Sequence, residues 1–111
     1  VTTITAADED AHQELKAYLI AEIEVVDAAH YEGYKTEAAQ IVAKYGGQYI
    51  VRGGALTLVE GDGSKGRVVV IEFPNTTAAH AFFNSDEYRP VAKVRHKAAK
   101  SRIMIVEGII P

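Results

Sequence analysis

Apolar and polar positions alternate from Ala17 to Val26. Leu19, Ala21, Ile23 and Val25 fall on one face, and Tyr18, Ile20, Glu22 and Glu24 on the other. This predicts a strand with one dry face and one mixed face. The period then lengthens. Asp27 is placed to cap a helix running to about Tyr45. Tyr31, Tyr34, Ala38, Ile41 and Tyr45 recur at spacings of three and four, while Glu32, Lys35, Glu37, Gln40 and Lys44 lie mostly off that stripe. The stripe reads as core packing with tyrosine hydroxyls at the rim, in preference to a ligand box. His30, in the first turn, reads as exposed.

Gly46-Gly47 closes the helix, and Tyr49-Ile50-Val51 resumes strand. The second strand is expected over Gln48 to Arg52. It bends or bulges at Gly53-Gly54, and Ala55 to Glu60 continues it toward a partner chain. Gly61-Asp62-Gly63-Ser64-Lys65-Gly66 has the spacing G-x-G-x-x-G. A dinucleotide site needs a helix after the last glycine, and a phosphate loop needs Lys-Ser or Lys-Thr. Arg67 to Phe73 reads as the third strand, so the six residues read as a hairpin loop.

Pro74 ends that strand, and Asn75 or Thr76 caps a helix carrying Ala78, Ala79, Phe82 and Phe83. Asn75-Thr76-Thr77 matches a glycosylation triplet but reads as a cap. Asn84 to Arg89 reads as a turn, with Pro90 opening a further helix on Val91, Val94 and Ala98. The fourth strand is expected over Arg102 to Glu107, and Ile109-Ile110 leaves an apolar tail. Residues 1–16 read as an N-terminal extension. His12 beside Asp8, Glu9 and Asp10 reads as an acidic solvated turn in preference to a metal cluster.

The order is strand, helix, strand, strand, helix, strand. This is the ferredoxin-like βαββαβ pattern of an α+β fold: a four-stranded antiparallel sheet with helices on one face. Right-handed crossovers put the first and third strands in the centre. The other face carries Ile20, Ile50, Val68, Val70, Met104 and Val106, too apolar to stay wet in a monomer, so a homodimer is expected.

Composition narrows the function classes. The 111 residues suit one domain, expected over residues 17–111. A net charge of −3 argues against nucleic acid as a partner. There is no cysteine, which removes thiolate chemistry and disulfides. No membrane span or signal pattern is apparent, and a cytoplasmic protein is expected. No metal site or cofactor is expected. His80 and His96 sit on helices and read as solvent-exposed in preference to haem ligands.

Tyr18-Leu19-Ile20-Ala21, Lys44-Tyr45-Gly46-Gly47, Val51-Arg52-Gly53-Gly54, Val70-Ile71-Glu72-Phe73-Pro74 and Ser85-Asp86-Glu87-Tyr88 carry a resemblance. Over about Tyr18 to Gly108 the chain resembles the bacterial domain-of-unknown-function family 1330. That resemblance implies a dimeric α+β barrel, as in small antibiotic-type monooxygenases, and no assigned reaction. It also marks Arg52, Glu72, Ser85, Tyr88 and Arg95 as recurrent polar positions of unknown role.

Two functions are weighed. One is a barrel holding a small organic molecule between sheet and helices, as a binding protein or a cofactor-independent monooxygenase- or isomerase-like enzyme. Arg52 then takes an anionic group, Glu72 accepts a proton or fixes Arg52, and Tyr88 supplies a hydroxyl. The other is a non-catalytic dimeric module. A hairpin turning within Gly61–Gly66, with a bulge at Gly53-Gly54, brings Arg52 toward Glu72 at one mouth of the barrel. Glu22 lies near them, and Arg95 is the candidate second cation.

Overall fold

The computed structural model describes residues 15–63 and 66–110. The expected acidic turn with His12, Asp8, Glu9 and Asp10 lies outside them. The elements are β1 (Ala17–Val25), α1 (Ala28–Lys44), β2 (Gln48–Arg52), β3 (Arg67–Phe73), α2 (Thr76–Phe83), α3 (Tyr88–Ala98) and β4 (Ala99–Glu107). The sheet is antiparallel with order β2-β3-β1-β4, so the first and third strands are central as expected. The alternation in β1 sorts as predicted. Ala17, Leu19, Ala21 and Ile23 are buried, with Val69, Ile71 and Phe73 of β3 beside them. Tyr31, Ala38 and Val42 of α1, Phe82 of α2 and Tyr88 and Val91 of α3 complete this core.

Local chemistry sets the joints. The Asp27 carboxylate accepts the His30 N–H at 3.2 Å and caps α1. At the other end Gly46 (φ +79°) donates to Ala43 O at 3.1 Å and Gly47 to Val42 O at 2.9 Å. This pairing satisfies the last carbonyls and needs a left-handed residue at Gly46. Gly47 is constrained by space instead. An added Cβ would stand 2.7 Å from Val42 Cγ1 and 2.8 Å from Phe73 Cε1.

Four expectations are corrected. Residues 54–60 are exposed and form no strand; the chain leaves the sheet at Gly53 (φ +71°). The ladder shifts register between Tyr49 and Val51, so the bulge lies at Ile50 and not at the glycine pair. α3 begins at Tyr88, with Pro90 in its third position. An amide there has no partner within the helix, so proline costs nothing. β4 begins at Ala99, directly after α3, because Lys100, Ser101 and Arg102 extend the pairing opposite Glu24, Ile23 and Glu22.

Candidate functional site

The extra residue at Ile50 decides where the site lies. Gln48 faces Glu72 and Tyr49 faces Ile71, but beyond the bulge Val51 faces Val70 and Arg52 faces Val69. Side chains alternate along a strand, so Arg52 takes the face of Val69 and Ile71, under the helices. Glu72 and Glu22 take the opposite face. Glu72 accepts from Lys16 Nζ at 3.2 Å, and Glu22 accepts from Arg102 Nε at 2.9 Å. The expected meeting of Arg52, Glu72 and Glu22 is therefore corrected: Arg52 is separated from both acids by the sheet.

On the helix side the structure has a pocket. Tyr31, Tyr34, Lys35 and Ala38 line it from α1, Tyr49 and Arg52 from β2, and Arg67, Val69 and Ile71 from β3. Leu19, Ala21 and Ile23 of β1, Phe82 of α2, Tyr88 of α3 and Ile103 of β4 complete it. Its free space is about 30 Å³, room for one or two waters.

Two guanidiniums stand in its wall. Arg52 lies 4.4 Å from the Tyr49 ring centroid and donates weakly to Lys35 O at 3.4 Å. Arg67 lies 5.5 Å from the Tyr31 ring centroid. Its Nε is buried and has no hydrogen-bond partner. Gly53 makes the space for this group, since an added Cβ would stand 2.6 Å from Arg67 Nη2. Among the described residues no carboxylate pairs with either arginine. A buried guanidinium donor without an acceptor is costly, and a bound anion would relieve it.

Behind the pocket the polar groups form a chain. Tyr34 and Tyr88 hydroxyls lie 2.6 Å apart, and Arg95 Nε donates to Tyr88 Oη at 3.3 Å. Arg95 is only 3% exposed. The expectation of Arg95 as a second cation at a sheet-face mouth is corrected: it sits behind Tyr88, with Ser101 and His96 as its other partners. Ser85 is buried, and its hydroxyl is engaged locally. It donates to Phe82 O at 2.8 Å and accepts from Tyr88 N–H at 3.0 Å, capping α3, an interaction typically worth about 1 kcal/mol. His80 and His96 are exposed, and no group of three metal-ligating side chains occurs among the described residues.

Burial pushes the phenols of Tyr31, Tyr34 and Tyr49 up, most strongly Tyr34. Nearby arginines oppose the shift at Tyr31 and Tyr49. These groups are protonated and neutral when folded. The folded chain therefore holds more protons than the unfolded chain above about pH 10, the ordinary tyrosine value. Stability from this source is fully present below that pH and is lost as pH rises through the raised values. Lys44, raised by its bond to Glu87, adds to the same loss. The melting temperature should fall between pH 10 and 12, and Tyr34→Phe should flatten the fall. An identical slope in the variant would contradict the assignment.

A family model described as "Domain of unknown function (DUF1330)" matches residues 16–109. No curated protein matches the chain. RPA0582, a protein of unknown function from Rhodopseudomonas palustris, is 18% identical over 100% of this chain and 97% of its own, with a TM-score of 0.70. SnoaB, a cofactor-independent oxygenase from Streptomyces nogalater, is 14% identical over 86% of this chain and 95% of its own, with a TM-score of 0.65. Likeness at these identities establishes a shared fold. No helix among the described residues is long and apolar enough to cross a membrane.

The sequence singled out Arg52 and Tyr88, and both line the pocket. It missed Arg67 and Tyr49, and it ranked a ligand-box role for Tyr34 below core packing. Arg67 opens a strand on the same parity as Val69 and Ile71, and that parity was its available signal. Helical spacing puts Tyr34 in the core with its hydroxyl at the rim. Its hydroxyl instead meets Tyr88 at the pocket wall.

Proposed function

The chain belongs to the DUF1330 family, and from that premise we propose that it binds a small organic anion in the pocket between helices and sheet. The observation that carries this reading is the pair Arg52 and Arg67, in an otherwise aromatic and aliphatic wall, with no carboxylate partner among the described residues. The anionic group sits against the guanidiniums, and a flat apolar body suits Tyr31, Tyr34 and Tyr49. With about 30 Å³ free, entry requires side chains at the mouth to swing outward. Arg52 is exposed and Lys35 is partly so, so both can move without disturbing the core. Ser85 and Arg95 then support the site through Tyr88, and Glu22 and Glu72 belong to the other sheet face.

The test is a thermal-shift screen of small aromatic acids, with 4-hydroxybenzoate among them. At 100 times the dissociation constant a ligand of the folded state adds about 2.7 kcal/mol, a shift of several degrees. Arg52→Ala should abolish the shift and leave the unliganded melting temperature within about 2 °C, because an exposed side chain contributes little. A wild-type protein that no acid shifts would sink the reading and favour a non-catalytic module.

Assembly as a homodimer belongs to the same proposal. The sheet face away from the helices exposes Met104 (40%) and Val106 (48%), beside Ile20 and Val70. Leu56, Leu58, Val59, Ile109 and Ile110 are also exposed. A second copy covering this face would bury more than about 1,000 Å² in total. Sedimentation at micromolar concentration should give a dimer; a monomer would contradict it. The fold shared with SnoaB supports a second reading, in which the bound anion is an aromatic substrate oxidised by dioxygen. Oxygen uptake with a dihydroxyaromatic acid tests that reading, and no uptake over the acid alone would end it.

A further inference from the structure

We infer that Tyr34 is the pocket's hydrogen-bond donor to its ligand, its proton turned toward the pocket by a one-way relay from Arg95 through Tyr88. The inference rests on the pocket reading above and adds to it a donor and a polarity. The direction follows from counting protons. A guanidinium only donates, so at the 3.3 Å contact Tyr88 Oη accepts from Arg95 Nε. Tyr88 then has one hydroxyl proton of its own. Among the described residues the other partner of that oxygen is Tyr34 Oη, at 2.6 Å.

Two arrangements are open. If Tyr34 donates, Tyr88 accepts twice, and its proton is left without an acceptor on a residue only 2% exposed. Buried donors are seldom left in that state. If Tyr88 donates, each group on the buried side is satisfied. The one proton left over belongs to Tyr34, which is half-buried and lines the pocket.

The charge at the start of the chain favours the same direction. Arg95 is 3% exposed and pairs with no carboxylate among the described residues. Its field polarises Tyr88, which polarises Tyr34, and each donor is strengthened by the one behind it. The outward end of the relay is therefore a strong donor in a pocket that Arg52, Arg67 and Tyr49 also line. It selects an oxygen acceptor, a phenolate or carboxylate in the same place, and rejects an ammonium or any group that can only donate.

Two measurements test this. Neutron diffraction from deuterium-exchanged crystals should place the deuteron of Tyr88 Oη on the line to Tyr34 Oη. A deuteron on Tyr34 pointing at Tyr88 would overturn the relay, whatever the ligand. Separately, p-nitrophenolate binding at pH 8.5 can be followed by its absorbance in wild type, Tyr34→Phe and Arg52→Ala. Phenylalanine keeps the ring, so the fold should persist while affinity falls about tenfold or more, the range for a hydrogen bond to a charged group. Equal affinity in Tyr34→Phe, with a loss in Arg52→Ala, would overturn this inference and leave the pocket reading standing. Failure of the wild type to bind would overturn the phenolate class along with that reading, while the deuteron position still decides the relay.

Discussion

Phe82→Ala should remove about 3–5 kcal/mol of stability, a fifth or more of the about 5–15 kcal/mol typical of a domain this size. Phe82 is 2% exposed and stands at the centre of the aromatic packing. Its ring lies 4.5 Å from Tyr88, 5.6 Å from Phe73 and 6.3 Å from Tyr45, centroid to centroid. Those rings come from α3, β3 and the end of α1, so helices and sheet meet on one side chain. Truncation leaves a void that none of them can fill by changing rotamer alone. Tyr88 would lose its closest ring contact, and the hydroxyl bond to Tyr34 with it. Chemical denaturation measures the loss; a change below about 1 kcal/mol would mean that the cluster is not the keystone of the core.

Gly66→Ala should be comparably damaging, for a backbone reason. A Cβ at this position would stand 1.9 Å from Ile23 O and 2.8 Å from Glu24 Cα. Neither atom can turn away, so β3 must shift from β1 where Arg67 pairs with Ile23. Overpacking of this kind costs typically about 1–3 kcal/mol, and contact with main chain puts Gly66 at the upper end. The same shift moves Arg67, so the variant should lose the anion response as well as stability. A Gly66→Ala protein with wild-type stability and wild-type response would show that the start of β3 is free to move and does not fix Arg67.

β1 was legible because alternation survives burial on one face: Leu19, Ala21 and Ile23 against Ile20, Glu22 and Glu24; β3 was legible because Val68 to Ile71 is an unbroken run of strand formers. The cap at Asp27 and the close at Gly46-Gly47 were legible because few residue types satisfy those backbone positions. The site was much less so. A bulge is one residue without a compositional mark, and Ile50 resembles any other strand residue. Yet it moves Arg52 from the face of Gln48 and Glu72 to the face of Val69. Placing the bulge at Gly53-Gly54 led to an Arg52–Glu72 pairing that the sheet forbids. Residues 55–60 have strand-forming side chains but lie beyond the end of the β2–β3 ladder, and no local pattern reports the loss of a partner. Tyr34 joins Tyr88 across 54 positions. Helical spacing could say that Tyr34 faces inward, but not that another hydroxyl would meet it there.

The central claim is that the ligand lies on the helix side of the sheet. Methyl-labelled protein titrated with 4-hydroxybenzoate tests this by NMR. The account predicts saturable shifts at Ala21, Ala38, Val69, Ile71 and Ile103, which line the pocket, with Ile20, Val70, Met104 and Val106 on the opposite face nearly still. Shifts confined to that second group, or none at all, would contradict it.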